Sequence, residues 1–371
     1  VLKVQNKKAY KRSILSIKIL KQSEDTMGNT NSIFVAVDDG PADQPIKTIE
    51  CWADDPVTDF NLSSNLNVPD QQNIANMCCS YDNQSQLHVV FNNRDGEIFH
   101  ENINNGKGWV PINSLLPFSI HETLSGSICC AINKSDPNGR VHVFAVSDNG
   151  SIFHTYGGFP PFATTTLIKF KEAWQFRWDR IPFSGAVDVP RRLRLSAAFD
   201  LYGNLHLFVI DSVLVLWHNL RDTSGHWQSW DKVPTETSTG STLRNFTSIS
   251  AATSTSHAIH LCAVDINGLL FYKTFVAYYS DSLPWSNVTK EIRDANVSPG
   301  KDLTNIFRVV ISSDEEDNIH IVAIPGGILG WGPIYTKRSG HGVVPAVYTP
   351  LVNVLPDMNF DLGASVGFAH N

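Results

Sequence analysis

A chain of 371 residues with 42% hydrophobic and 18% charged residues can bury a large core, which excludes a disordered protein. The net charge of -7 is spread along the chain, and the one basic run, Lys3 to Lys21, is no stripe for nucleic acid. No stretch approaches the roughly 18–20 apolar residues of a membrane span, so the chain reads as soluble.

The N-terminus is a poor signal peptide, because Ile14–Leu20 is short and broken by Ser16 and Lys18. With no signal peptide recognised, the expected location is cytoplasmic, or outside the cell by non-classical secretion. Four of the six cysteines form two adjacent pairs, Cys78–Cys79 and Cys129–Cys130, beside single Cys51 and Cys262. Neighbours on a strand point to opposite faces, so these read as buried thiols of a reducing compartment. Seven sequons, at Asn61, Asn83, Asn133, Asn149, Asn245, Asn287 and Asn296, point the other way but arise by chance in an Asn-, Ser- and Thr-rich chain.

In chain order, residues 1–31 read as an extension outside the repeat. Ser13–Lys21 is the alternative first strand, and Met27 begins MGNTNS, a myristoylation pattern if it is the true start. Ser32–Val37 and Ile46–Ala53 form a degenerate hairpin. Clear hairpins follow at 87–101 (LHVVFNNRDGEIFHE), 141–155 (VHVFAVSDNGSIFHT), 205–219 (LHLFVIDSVLVLWHN), 259–273 (IHLCAVDINGLLFYK) and 319–332 (IHIVAIPGGILGWG). Most are preceded by a strand of small residues: Ile74–Ser80, Ser127–Ile132, Leu195–Phe199, Ile249–Thr253 and Val309–Ser312. Small side chains suit strands crowded at a central axis. A fourth strand carries an aromatic: Trp109, Trp178, Trp230 or Trp285. No amphipathic helix longer than two turns is expected.

A repeated His marks the hairpins, at positions 88, 142, 206, 260 and 320, spaced by 54, 64, 54 and 60 residues. Four strands per unit at this period predict an all-β chain, a six-bladed β-propeller of four-stranded antiparallel blades, with seven blades the alternative. The propeller is expected to span 32–371. It would be closed by the C-terminal strand 364–370 (ASVGFAH) pairing with the hairpin that begins at Ser32.

A turn centred near Arg94 places His88 opposite or nearly opposite His100. The same arithmetic pairs His142 with His154, His206 with His218, and His260 with Tyr272. Three readings stand. The rings hold the blades in register; or, with nearby aromatics, they bind sugar hydroxyls; or they ligate a metal, for which two His without a Cys or carboxylate are an incomplete set. No metal site or cofactor is expected. For catalysis there is no sialidase Asp-box, H-E-x-x-H, G-x-S-x-G or Walker loop. The carboxylate pairs Asp38–Asp39, Asp54–Asp55 and Glu315–Glu316 read as solvated loops. Repeated hairpins suit a multivalent binder better than one active site, so no enzyme is expected.

The pattern L-x-V-F-A…D-N-x-L-W-H followed by W-x-x-W resembles the repeat of the bacterial seven-bladed propeller lectins that bind fucose. Blade 4 carries it best, in Leu216, Trp217, His218, Trp227 and Trp230, and blade 3 in Val143, Phe144, Ala145, Asp148, Asn149 and His154. An inner strand plus hairpin such as ISAATS…IHLCAV is similar to the six-bladed fungal fucose-specific lectins. The resemblance covers residues 32–371 as a loose repeat. It implies a multivalent, non-catalytic carbohydrate-binding protein for fucose-type sugars, with sites in clefts between blades. The fungal lectins place an Arg on the first hairpin strand and a Glu at the end of the second. This chain has His88 and His100, His142 and His154, or His206 and His218 there.

The candidate ligand-binding residues are thus His88, His100, Trp109, His142, His154, His206, His218, Trp227, Trp230, His260, Tyr272 and Trp285. Trp227 and Trp230 would face opposite ways on a regular strand. The expected partners are glycans or glycoproteins, with a homo-oligomer left open. A protein-interaction scaffold without sugar binding, and a glycoside-processing enzyme with a central cleft, are the alternatives.

Overall fold

In the computed structural model the described residues are 30–36, 46–52 and 61–66, most of 74–157, 178–275 and 283–353, and 365–370. The basic run, Met27 and the pairs Asp38–Asp39, Asp54–Asp55 and Glu315–Glu316 lie outside them. The described strands form six antiparallel sheets, numbered as blades 1–6 in chain order.

Blade 2 is a meander of Ile74–Tyr81, Leu87–Asn93, Ile98–Asn102 and Val110–Pro111. Blade 3 uses Ile128–Ile132, Val141–Val146, Ile152–Gly157 and Asp179–Ile181. Blade 4 uses Arg194–Phe199, Leu205–Ile210, Leu216–Arg221 and Asp231–Lys232. Blade 5 uses Phe246–Thr253, Ile259–Asp265, Leu270–Phe275 and Ser286–Asn287. Blade 6 has Ile306–Ser313, Ile319–Pro325, Ile334–Ser339 and Val347–Tyr348, and Val352–Asn353 pairs beside the third of these. In blade 1 the strands Thr30–Ala36, Ile46–Trp52 and Asn61–Leu66 are joined by Ser365–His370. That C-terminal strand pairs Asn31 with His370 through to Ala36 with Ser365. The innermost strands neighbour one another in sequence order, and that of blade 6 returns to that of blade 1. This is an all-β propeller of four-stranded antiparallel blades.

The second strands of blades 2–4 are mostly apolar, broken by the repeated His, because both their faces are covered. Every residue of Leu87–Asn93, Val141–Val146 and Leu205–Ile210 is buried. Val90 and Ile98 of blade 2 pack on Val141 and Val143 of blade 3, and Cys262 and Leu270 of blade 5 pack on Ile311 and Ile321 of blade 6. Small hydroxyl residues on or just before the innermost strands do more than relieve crowding. Ser127, Ser196 and Ser250 accept the backbone N–H of Leu195, Ala251 and Ile311 at 3.2, 2.8 and 3.0 Å, each from the next blade. An exposed strand edge is thereby paired.

Glycine in the second turn has a steric cause. Gly268 has φ +71, and a Cβ there would lie 2.7 Å from the Asn305 Cα of the chain entering blade 6. Cys78, Cys79, Cys129, Cys130 and Cys262 are free thiols, and burial pushes Cys262 up to about 12. Helix α1, Val288–Asp294, is capped by the Asn287 side chain, which accepts the Lys290 N–H at 2.8 Å. Its Val288 and Ile292 fill the core between blades 5 and 6. Among the described residues no helix is long and apolar enough to cross a membrane.

Candidate functional site

The turn after Asn93 closes by an Asn93 N–H to Glu97 carbonyl bond of 2.9 Å, so its centre falls on Asp95 rather than Arg94. One residue in the centre moves each partner by two. His88 therefore pairs with Asn102, and His100 with Val90. His142 pairs with Tyr156, His206 with Leu220, and His260 with Thr274. The expected neighbours, opposite or nearly opposite, are thus diagonal, a separation that aromatic side chains can still span. His88 Nδ1 meets His100 Nε2 at 2.9 Å, His142 meets His154 at 3.0 Å, and His206 meets His218 at 2.9 Å. Tyrosine replaces the second ring in blades 5 and 6. His260 meets the Tyr272 hydroxyl at 2.5 Å and His320 that of Tyr335 at 2.8 Å. Apart from half-buried His218, all these rings are buried.

Three blades extend the chain with a carboxylate six residues before the His. Asp82, Asp200 and Asp314 lie 3.2, 3.4 and 3.0 Å from His88, His206 and His320. The same carboxylates accept the backbone N–H of Gln86, Asn204 and Asn318 across the turn. Burial alone would raise the Asp314 carboxyl, but the His320 ring and Asn318 hold it well below the usual range. Desolvation pushes buried imidazoles the other way, His142 and His218 to about 3. In blades 2, 4 and 6 the repeated ring thus joins two groups, its partner ring or phenol at Nδ1 and a carboxylate at Nε2.

Each tryptophan assigned to a fourth strand sits immediately before it. Trp178 Nε1 donates to the Ile112 carbonyl at 3.2 Å, Trp230 to Pro182 at 2.6 Å, and Trp285 to Pro234 at 2.9 Å. Each acceptor follows the outer strand of the preceding blade, so the indoles staple neighbours together. Half-buried Trp109 packs edge-on against Phe91 of its own blade at 4.8 Å. Trp227 and Trp230 do not alternate on a regular strand. The outer strand begins only at Asp231, and both tryptophans pack against the core between blades 3 and 4. Trp227 stands edge-on to His154 at 5.9 Å and Phe144 at 6.1 Å, half-buried.

A position absent from the sequence pattern shapes the clefts. It lies on the third strand, opposite the residue before the repeated His, as the pairs Leu205–Arg221, Ile259–Phe275 and Ile319–Arg338 show. Each reaches the aromatic cluster of the blade before. Phe275 covers His218 at 4.7 Å, Arg338 lies 3.9 Å above Tyr272, and Arg221 lies 5.7 Å from the Tyr156 ring. Tyr156 is half-buried, stacked on His142 at 5.0 Å and flanked at 5.9 Å by exposed Arg140. The cleft between blades 3 and 4 thus offers a phenol, two guanidiniums and the edge of Trp227.

No family model and no curated protein matches the chain. Solved structures do. The fucose-specific lectin of Aleuria aurantia superposes with a TM-score of 0.54 at 12% identity, over 88% of this chain and 92% of that one. A second structure of this fungal lectin, described as a six-bladed β-propeller, gives 0.51 at 13% over 84% and 88%. A variant of it bound to α-methyl-L-fucoside gives 0.52 at 13%, again over 84% and 88%. The chain has the fold of the fucose-specific propeller lectins.

The mouth of the axial channel next to the clasps is a cavity of about 200 Å3 lined by Asp200 and Asp314. A glycosidase needs one carboxyl held protonated as an acid. Both carboxyls here are held low by their His and Asn partners against the pull of burial, which suits anions only. No group of three or more metal-ligating side chains converges among the described residues.

Proposed function

We propose that the protein is a non-catalytic carbohydrate-binding propeller, closed as six blades with Ser365–His370 completing blade 1, and that its sugar site is the cleft between blades 3 and 4. The fold likeness to fucose-specific lectins supports the class. The arrangement of Tyr156, Arg221, Arg140 and Trp227 carries the site. Sugar rings have an apolar face that stacks on aromatics and hydroxyls that accept from guanidinium. The His pairs support this cleft from beneath rather than meeting the sugar, being buried and bonded to one another. Clefts 4–5 and 5–6 are covered by Phe275 and by Arg338 with Tyr348, so the valency is lower than the blade count. Fucose-type sugars are the first ligands to test.

A glycan array probed with the whole chain tests the reading. Binding to a defined glycan class, lost at least tenfold in Arg221→Gln with an unchanged melting temperature, is the expected result. Binding to no glycan, or binding indifferent to Arg221, overturns it in favour of a protein-interaction scaffold.

A further inference from the structure

The short hairpin after the third strand of blade 4 sets two cleft residues side by side. Its turn is closed by Asp222 N–H to the His226 carbonyl at 3.0 Å and by Gly225 N–H to the Asp222 carbonyl at 2.9 Å. Arg221 and Trp227 are direct partners across it, and residues directly opposite one another leave the same face of a ribbon. Gly225, with φ +89, lies against the guanidinium, and a Cβ there would stand 3.0 Å from Arg221 Nη2. The neighbouring carboxylate is turned to its own loop, where Asp222 Oδ1 accepts the His226 N–H at 2.9 Å.

Arg221 is half-buried, and among the described residues its guanidinium makes no hydrogen bond or ion pair. A guanidinium has five donors and no acceptor, and this one faces the Tyr156 ring at 5.7 Å. The second cation at that ring, Arg140 at 5.9 Å, gives its Nε to Asp136 at 3.5 Å. Both charges are felt beneath the ring. After burial, Arg221 and Arg140 are what lowers His142, and Arg221 also acts on His154. The cleft is thus positive in a chain whose net charge is -7. Arg338 occupies the same register position in blade 6 and shows what completes it. Its Nε donates to the Tyr348 hydroxyl, which donates in turn to the Glu291 carboxylate.

We propose that the sugar bound between blades 3 and 4 is acidic, its carboxylate or sulfate ester seated on the Arg221 guanidinium with Arg140 beside it. This rests on the carbohydrate reading of the cleft and narrows it. A forked guanidinium matches either oxyanion and forms charge-assisted hydrogen bonds with it. Trp227, opposite Arg221, and Tyr156 offer their rings to the apolar face of the same sugar. The ligand supplies the negative group that Glu291 supplies between blades 5 and 6.

An array of matched glycans, each acidic member beside its carboxyl-reduced or desulfated counterpart, tests it with the whole chain. The expected result is binding of the acidic member at least tenfold tighter than of the neutral one. That preference should shrink as salt rises, vanish in Arg221→Gln and be partly kept in Arg221→Lys. Arg140→Gln should weaken the acidic glycan by a smaller factor. Loss on carboxyl reduction assigns a carboxylate, and loss on desulfation a sulfate ester. Equal binding of acidic and neutral members by the unmodified chain overturns the proposal, and if Arg221→Gln then weakens both alike, the carbohydrate reading stands without it. An acidic preference unchanged in folded Arg221→Gln overturns it as well. Binding to no glycan at all removes both.

Discussion

The junction between blades 3 and 4 and the junction between blades 5 and 6 are built from the same two parts and end differently. In each, an arginine at one register position reaches a tyrosine of the preceding blade, Arg221 at 5.7 Å from Tyr156 and Arg338 at 3.9 Å from Tyr272. After blade 5 the chain folds as α1, and its Glu291 accepts the Tyr348 hydroxyl at 2.5 Å while Tyr348 accepts from Arg338 Nε at 3.2 Å. The arginine is then part of a closed polar chain and works as a lock. Between blades 3 and 4, Arg221 has no ion pair among the described residues, and its neighbours are rings and exposed Arg140. A supplied carboxylate makes structure from this position, and its absence leaves donors for a ligand.

The largest effect is expected where the lock is held. Ile292, 3% exposed, anchors α1 in the core between blades 5 and 6. Ile292→Ala should cost about 2–5 kcal/mol, as buried aliphatic truncations do, measured by urea unfolding. A cost near zero would mean that α1 is not what closes this junction, and the contrast between the two junctions would collapse.

Acid should break the other junction first. His142, under the cleft between blades 3 and 4, is held by burial at about 3, and His154 well below its ordinary value. An unfolded imidazole titrates near 6.5. The unfolded chain therefore binds more protons below that pH, so the stability is fully present above about 6.5 and is lost progressively as pH falls toward 3. For His142 the loss is about 2 kcal/mol at pH 5, at about 1.4 kcal/mol per unit. Blade 5 has one imidazole in its clasp where blade 3 has two, because the partner of His260 is the Tyr272 phenol, which burial pushes up and which takes up no proton in this range. Hydrogen exchange at pH 5 should show Val141–Val146 opening before Ile259–Asp265. The reverse order would show that the His pairs are not what acid attacks.

What could be read in the sequence was what repeats. The small inner strands, the buried second strands, the tryptophans at the outer strands and the C-terminal strand beside Thr30–Ala36 all recur or complete a recurrence. The hairpin register was off by two residues because the turn closes on Asn93 and Glu97, a backbone detail that the Asp-Gly signal does not resolve. Asp82, Asp200 and Asp314 were legible, each six residues before a His, but Asn133 and Ser254 stand in their place in blades 3 and 5 and blur the signal. The cleft position was not legible. It is Gly157, Arg221, Phe275 and Arg338 in successive blades, and a site that differs in each copy leaves no period.

The smallest effect on stability should come from Trp227, and it separates ligand from core most sharply. Trp230, three residues on, donates to the Pro182 carbonyl and meets Phe183 edge-on at 4.8 Å, so it ties blade 4 to blade 3. Among the described residues the Trp227 ring meets Phe144 and His154 edge-on, and it is half-buried. Each such aromatic contact is worth about 0.5–1.5 kcal/mol beyond area, and part of the indole never leaves water. Trp227→Ala should therefore cost about 1–2 kcal/mol against about 3 kcal/mol or more for Trp230→Ala, yet it should remove sugar binding where Trp230→Ala at a temperature that keeps it folded does not. Calorimetric titration with the best array ligand measures the first difference, and thermal unfolding the second. If Trp227→Ala binds as the unmodified chain does, the indole is packing alone. The cleft would then have to recognise its sugar through Tyr156 and the two arginines.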